Sequence, residues 1–99
     1  MRVIARKALR EFWAQPSYAD SEKSLSAWYA EAKQAKWKKP QDIKDKYRDA
    51  SFLGDNRVVF NIGGNKYRLV IHVNYSYAIV RIKFIGTHKQ YDQIDAEKI

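Results

Sequence analysis

The apolar positions in the first third of the chain recur at the spacing of two amphipathic helices. Their apolar faces comprise Ala8, Leu9, Phe12 and Trp13 in the first helix, and Leu25, Trp28, Tyr29 and Ala32 in the second. Pro16 is expected to end the first helix, and Asp20 or Ser21 to cap the second. A short stretch with β-branched residues precedes both helices and predicts a strand over residues 1–5.

From residue 51 the pattern changes to short β-branched and aromatic runs. Three strands are predicted, over residues 57–62, 66–73 and 78–85. The Gly63-Gly64-Asn65 segment predicts a tight turn between the first two of them, because Gly and Asn tolerate positive φ angles. Gly86 is expected to end the third strand.

Two shorter elements complete the predicted order. The Trp37-Lys38-Lys39-Pro40 segment is expected to break the second helix, and a short helical turn is expected over residues 41–47. A terminal helical turn over residues 88–95 has Thr87 as its cap. The order β-α-α-β-β-β, with this short C-terminal turn, predicts an α+β fold. Its N-terminal strand and two helices pack on one face of an antiparallel sheet, and residues 1–99 form a single domain.

Side chains alternate along a strand, so each predicted strand has one apolar face and one face with cations. The apolar faces comprise Val58, Phe60 and Ile62, then Tyr67, Leu69, Ile71 and Val73, then Ala78, Val80, Ile82 and Phe84. The opposite face gathers Arg57, Lys66, Arg68, His72, Arg81 and Lys83. Cations side by side repel one another, so this face favours a partner with negative charge. The alternative is a set of solvated charges on an exposed sheet surface.

Charge supports the same kind of partner. The 99 residues include 19 Lys and Arg against 11 Asp and Glu, a net charge of +8. A balance this basic is typical of a protein that binds nucleic acid, although an acidic protein partner would also fit. Cysteine is absent, which excludes disulfides and thiolate chemistry. No apolar run is long enough to cross a membrane, and we expect a soluble cytoplasmic protein.

Candidate chemistry follows the last predicted strand. His88 and Tyr91 are three residues apart, so a helical turn places them on one face, near Arg68, Arg81 and Lys83. These groups suit cleavage of RNA by its own 2′-hydroxyl, which needs a proton acceptor, a proton donor and cations for the charge on phosphorus. Histidine suits either proton role, since its ordinary pKa is about 6.5. No cofactor motif is present, and a metal site built on Asp92 and Asp95 is the weaker alternative.

Two segments carry a resemblance to a known family. They are RVVFNIGGNKYRLV, residues 57–70, and GTHKQYD, residues 86–92. Together they closely resemble the HigB toxins of bacterial type II toxin–antitoxin pairs, and the N-terminal strand and the Trp28-Tyr29 helix fit as well. The resemblance implies a RelE/ParE-like fold. It also implies an mRNA interferase, an endoribonuclease that in many members cuts messenger RNA on the translating ribosome.

The resemblance also implies partners and residue roles. A HigA-type helix-turn-helix antitoxin would neutralise the toxin and reach operator DNA, and no cofactor is implied. Arg68 is expected to stabilise the phosphate, and His88 and Tyr91 to act in acid–base chemistry or positioning. Cations expected to bind RNA are Arg57, Lys66, Arg81 and Lys83 on the sheet, and Lys36, Lys38 and Lys39 at the end of the second helix. Some relatives use a glutamate base on the sheet, but these strands contain no Glu, so the general base stays open.

Two other functions remain as alternatives at this level. ParE-like members of the same superfamily poison DNA gyrase without cutting RNA, and they have no need of Arg68, His88 and Tyr91. A non-catalytic module that binds RNA or the ribosome is the third reading. Removing Arg68 or His88 would weaken binding modestly in such a module, whereas it would cut the rate of an enzyme by about 10² or more.

Overall fold

The computed structural model describes all 99 residues, and it contains five strands, four α-helices and one 3₁₀ helix. The strands are β1 (Arg2–Ile4), β2 (Ser51–Leu53), β3 (Arg57–Ile62), β4 (Tyr67–Asn74) and β5 (Ile79–Thr87). The helices are α1 (Arg6–Trp13), the 3₁₀ helix (Pro16–Ser21), α2 (Glu22–Gln34), α3 (Pro40–Lys46) and α4 (His88–Tyr91). None of the helices is both long enough and apolar enough to cross a bilayer.

The strands form one sheet in the order β1-β5-β4-β3-β2. The pairs β2–β3, β3–β4 and β4–β5 are antiparallel, the last two as predicted, but β1 runs parallel to β5. The sheet is therefore mixed rather than antiparallel. The edge strand β2 was not predicted, because a strand of three residues is too short to show a clear alternation of apolar and polar side chains.

Several predicted boundaries need correction. Gly86 does not end β5, because it pairs with Arg68 and the strand continues to Thr87. The terminal helix covers four residues rather than eight. Neither Asp20 nor Ser21 caps α2 through its side chain: Ser21 is the N-cap residue, but its hydroxyl donates to the Tyr18 carbonyl (2.7 Å).

A bulge in β5 changes which side chains share a face. Val70 pairs with Phe84 and Ile71 with Ile82, so Lys83 has no partner in the register. An extra residue in one strand reverses the alternation beyond it. Phe84 therefore lies on the face opposite to the one predicted, and Ile85 takes a place towards the helices.

The main core lies between α1, α2 and the face of the sheet that carries Phe60, Leu69 and Ile71, which we call the core face. Aromatic rings interlock there: Trp28 and Tyr47 both meet Phe60 edge-on, at 5.5 and 5.0 Å between ring centroids. The predicted packing of the helices on one face of the sheet is confirmed. The other face, which we call the outer face, carries the cations.

Candidate functional site

Three rows of side chains cross the outer face from β3 through β4 to β5. The first, the arginine row, contains Arg57, His72 and Arg81. The second, the apolar row, contains Val59, Val70 and Phe84. The third, the Arg68 row, contains Asn61, Arg68 and Gly86 and lies next to α4.

The C-terminal tail, residues 92–99, crosses the middle of this face. Ala96 is buried on Val59 and Val70, and Ile99 packs at the edge of the same cluster. Nε of Arg57 donates to the carbonyl oxygen of Ile99 (3.0 Å), and Nη1 pairs with Asp55 (2.7 Å). The face is thus not one continuous cationic surface, because the tail separates the Arg68 row from the arginine row.

Arg68 and α4 meet at the loop between β3 and β4. The Nη1 of Arg68 donates to the carbonyl oxygens of Asn65 (3.1 Å) and Tyr67 (3.3 Å). The backbone N–H of His88 donates to the carbonyl of Lys66, between those two residues (3.3 Å). One loop therefore holds both the guanidinium on the sheet and the first residue of the terminal helix.

The helix α4 is fixed by a reciprocal cap. The Thr87 hydroxyl accepts from the Gln90 N–H (3.1 Å), and the Gln90 side-chain oxygen accepts from the Thr87 N–H (2.9 Å). Gly86 leaves the space for this arrangement, since a Cβ there would lie 2.6 Å from Phe84 Cζ and 2.7 Å from Gln90 Oε1. The Thr-His-x-x-Tyr sequence thus forms a capped turn with no side chain directly before it.

The two candidate proton-transfer groups differ in exposure. The His88 side chain is exposed, with Nε2 3.9 Å from Asp92 Oδ1. Tyr91 is half-buried, and its ring lies 6.4 Å from that of Phe84 on the apolar row. The exposed imidazole is accessible to a substrate, whereas Tyr91 packs partly against the cluster formed by Val59, Val70 and Ala96. No group of three or more His, Cys, Asp or Glu side chains is placed to hold a metal ion.

Lys66 turns away from the outer face. Its ammonium group and the hydroxyl of the buried Tyr67 both donate to Asp20, on the helix side of the sheet. The Lys66 hydrogen bond, followed by that from Tyr67, lowers the pKa of Asp20. The same Asp20 contact raises the pKa of Lys66. Arg81 and Lys83, by contrast, are exposed and form no ion pair.

Asp49 also lies beside the Arg68 row, although it was not among the predicted site residues. Asn61 donates from Nδ2 to the Asp49 carboxylate (3.1 Å), and Asn61 is the neighbour of Arg68 in the Arg68 row. Asp49 precedes the unpredicted strand β2, so the pattern of strands gave no reason to place it near the sheet. The structure thus anchors a carboxylate at the end of this row.

Lys36 and Lys38 lie far from Arg68. Together with Lys33 they line a shallow cleft with Tyr75 and Ala78, at the start of β5, whereas α4 follows its end. Lys39 lies at the N-terminus of α3, and the N–H groups of Lys38 and Lys39 donate to Asp42 (2.9 and 3.3 Å). Lys36 and Lys38 are thus separated from Arg68 and α4 by the length of β5.

Comparison with known proteins identifies the family. The chain is 31% identical to the mRNA interferase toxin HigB of Escherichia coli (strain K12), over 93% of this chain and 88% of that protein. Identity and coverage are the same for the mRNA interferases HigB of Escherichia coli O157:H7 and Shigella flexneri. Residues 21–94 match the family described as HigB toxin, the RelE-like toxic component of a toxin–antitoxin system. The chain therefore belongs to the HigB toxin family, and an antitoxin is its expected partner.

Proposed function

We propose that this toxin is an mRNA interferase that cleaves messenger RNA without a metal or other cofactor, with Arg68, His88 and Tyr91 in its active site. The observation that carries the proposal is the loop at residues 65–67, which binds both Arg68 and the backbone of His88. The names of the E. coli and Shigella relatives support the substrate class.

In this reaction the 2′-oxygen of one nucleotide attacks the adjacent phosphorus while the bond from phosphorus to the 5′-oxygen breaks. The proton of the 2′-hydroxyl passes to a base, and protonated His88 gives a proton to the departing 5′-oxygen. Arg68 stabilises the negative charge on the pentacovalent phosphorus. Tyr91 orients the substrate by stacking on a base. The products carry a 2′,3′-cyclic phosphate and a 5′-hydroxyl.

Asp49 is our candidate for the base. Asn61 holds its carboxylate at the end of the row that contains Arg68, and an ionised carboxylate is able to accept the proton of the 2′-hydroxyl. Asp49 would replace the sheet glutamate of some RelE-like relatives.

The exposed cations would bind the rest of the RNA. Arg81 and Lys83 lie beyond the tail and would contact phosphates away from the cleaved bond. Lys36, Lys38 and Lys39 would contact ribosomal RNA. Arg57 and Lys66 form ion pairs with Asp55 and Asp20, so they would mainly stabilise the fold rather than bind RNA. The toxin would act in the cytoplasm on ribosome-bound messages, neutralised by a HigA-type helix-turn-helix antitoxin that also binds the operator.

The test is cleavage of a defined message in EDTA, either free or on ribosomes, with the new 5′ ends mapped. We expect discrete cuts with 5′-hydroxyl ends, at least about 10² slower in Arg68→Ala and His88→Ala. Asp49→Asn, which keeps an oxygen for Asn61, should slow cleavage similarly without loss of ribosome binding. Lys89→Ala, an exposed neighbour on α4, is the control that retains activity.

Two other results would reject the proposal. Intact RNA in every reaction, from a protein that still arrests growth, would point to a protein target such as gyrase. Ribosome binding that arrests translation equally in the wild type, Arg68→Ala and His88→Ala, without any cut, would identify a non-catalytic binding module.

A further inference from the structure

One hydrogen bond connects α4 to a distant part of the chain. The side-chain nitrogen of Gln90 donates to the hydroxyl of Tyr18, 72 residues earlier, over 3.2 Å. Tyr18 belongs to the 3₁₀ helix, which otherwise packs with α1 and α2. This bond links the helix that carries His88 and Tyr91 to the helical layer on the core face.

Gln90 uses all of its polar groups at this position. Its backbone N–H and side-chain oxygen form the cap with Thr87, and its side-chain nitrogen binds Tyr18. A helix of one turn gains little stability from its own hydrogen bonds, so outside contacts must fix its orientation. The Thr87 cap holds the turn closed. The Tyr18 bond, together with the bond from the His88 N–H to the Lys66 carbonyl, sets where the turn lies relative to the rest of the molecule.

The Tyr18 ring is itself held in place by two aromatic neighbours. Its ring stacks on Phe12 with 4.4 Å between centroids and 3° between planes, and it meets the edge of the buried Tyr67 at 6.1 Å. Tyr67 opens the strand that carries Arg68, and it pairs with Thr87 across β4 and β5. Tyr18 therefore contacts both elements that carry the candidate catalytic groups: β4 through Tyr67, and α4 through Gln90.

We infer that Tyr18 and Gln90 are positioning residues, which hold the His88–Tyr91 turn in register with Arg68. The inference rests on the proposed function, because it assigns catalytic value to that register. Neither residue needs to touch the RNA. A displacement of about 1 Å in a catalytic group lowers a rate by up to about 10²-fold, so loss of a single tether is expected to matter.

Tyr18→Phe is the decisive variant, since it removes the hydroxyl but keeps the ring that stacks on Phe12. We expect kcat on programmed ribosomes to fall about tenfold with KM unchanged. The thermal unfolding midpoint should fall by no more than about 5 °C, because a single exposed hydrogen bond is lost. Tyr77→Phe is the matched control, because Tyr77 is 77% exposed and lies away from α4.

Amide hydrogen exchange tests the tether without reference to activity. The N–H groups of Gln90 and Asp92 are bonded to Thr87 and His88, and they should exchange faster in Tyr18→Phe. Gln90→Glu should keep slow exchange, since its second carboxylate oxygen can accept from the Tyr18 hydroxyl while the first serves the cap.

Each outcome has one meaning. An unchanged kcat in Tyr18→Phe would overturn the inference, as would a rise in KM alone. If the unsubstituted protein cleaves no RNA, the proposed function fails first. In that case faster exchange in Tyr18→Phe would still support the tether, and unchanged exchange would overturn it.

Discussion

At the residue scale, Arg57 and Arg68 show how partners decide what a surface cation can do. Both lie on the outer face of adjacent strands. Arg57 is 9% exposed, and its guanidinium binds Asp55 and the carbonyl oxygen of Ile99. Arg68 is half-buried and binds only main-chain carbonyls, so no carboxylate neutralises it. An uncompensated guanidinium is the better receptor for a phosphate.

Asp20 provides a prediction at the same scale. Lys66 and Tyr67 donate to it and lower its pKa, so its ionised form is favoured in the folded state. A carboxyl group whose pKa is lowered by folding stabilises the folded state at pH values above its ordinary pKa of about 4. This stabilisation is lost as the pH falls through the pKa that the group has in the folded state. We expect Asp20→Asn to unfold at a lower temperature than the wild type at pH 7.

The difference between Asp20→Asn and the wild type should shrink as the pH is lowered below about 4. Thermal unfolding followed by circular dichroism across this range measures it. Glu97→Gln, whose side chain is exposed, should show no such dependence. A difference that stays constant down to the lowest pH would mean that the Asp20 contact is not ionic.

At the element scale, the tail acts as a third layer of the fold. Its Ala96 and Ile99 cover Val59, Val70 and part of Leu53, which would otherwise be apolar side chains on a cationic surface. The outer face thus has a small core of its own. The RNA path that we propose runs beside this layer, along the Arg68 row.

The tail yields a prediction that Ala96→Glu will detach it. A carboxylate buried on Val59 and Val70 would lack a partner, so the tail is expected to leave the sheet rather than bury the charge. The free energy of unfolding in urea should fall by roughly 1 to 3 kcal/mol. Proteolysis after Lys98 should also become faster than in the wild type. Lys98→Gln, an exposed change in the same segment, is the control for stability, and equal stability of wild type and Ala96→Glu would show that the tail contributes nothing.

Local patterns predicted the main elements but not their long-range relations. Helical spacing located α1 and α2, and alternation located β3 and β4 closely. The bulge at Lys83 was not predictable, because the sequence Arg81-Ile82-Lys83-Phe84 alternates as regularly as a strand without a bulge. The contact of Arg57 with Ile99 and that of Asn61 with Asp49 were missed because they join residues 42 and 12 positions apart in the chain. The motif around His88 and Tyr91 was found from local sequence because its cap is local.

At the scale of the whole molecule, the length of β5 separates the Arg68 row from the cleft lined by Lys36 and Lys38. Its nine residues, Ile79–Thr87, span about 26 Å at about 3.3 Å per step. The cleft lined by Lys36 and Lys38 lies near the start of this strand, and α4 follows its end, in a molecule 37 Å long. A short RNA at the Arg68 row cannot reach both regions. In our proposal these lysines would therefore make a second contact, with a large RNA such as that of the ribosome.

This separation predicts that binding and cleavage can be uncoupled. Replacing Lys36, Lys38 and Lys39 with Ala should weaken ribosome binding and reduce the slope of log affinity against log salt by about 2 to 3, since about three phosphate contacts are lost. The rate on saturating ribosomes, and on a short free RNA if that is cut, should stay unchanged because the Arg68 row is intact. Replacing Lys7, Lys23 and Lys98 instead removes the same charge from scattered exposed positions. An equal loss of affinity in both triple variants would mean that net charge, rather than the position of these lysines, governs attraction to the ribosome.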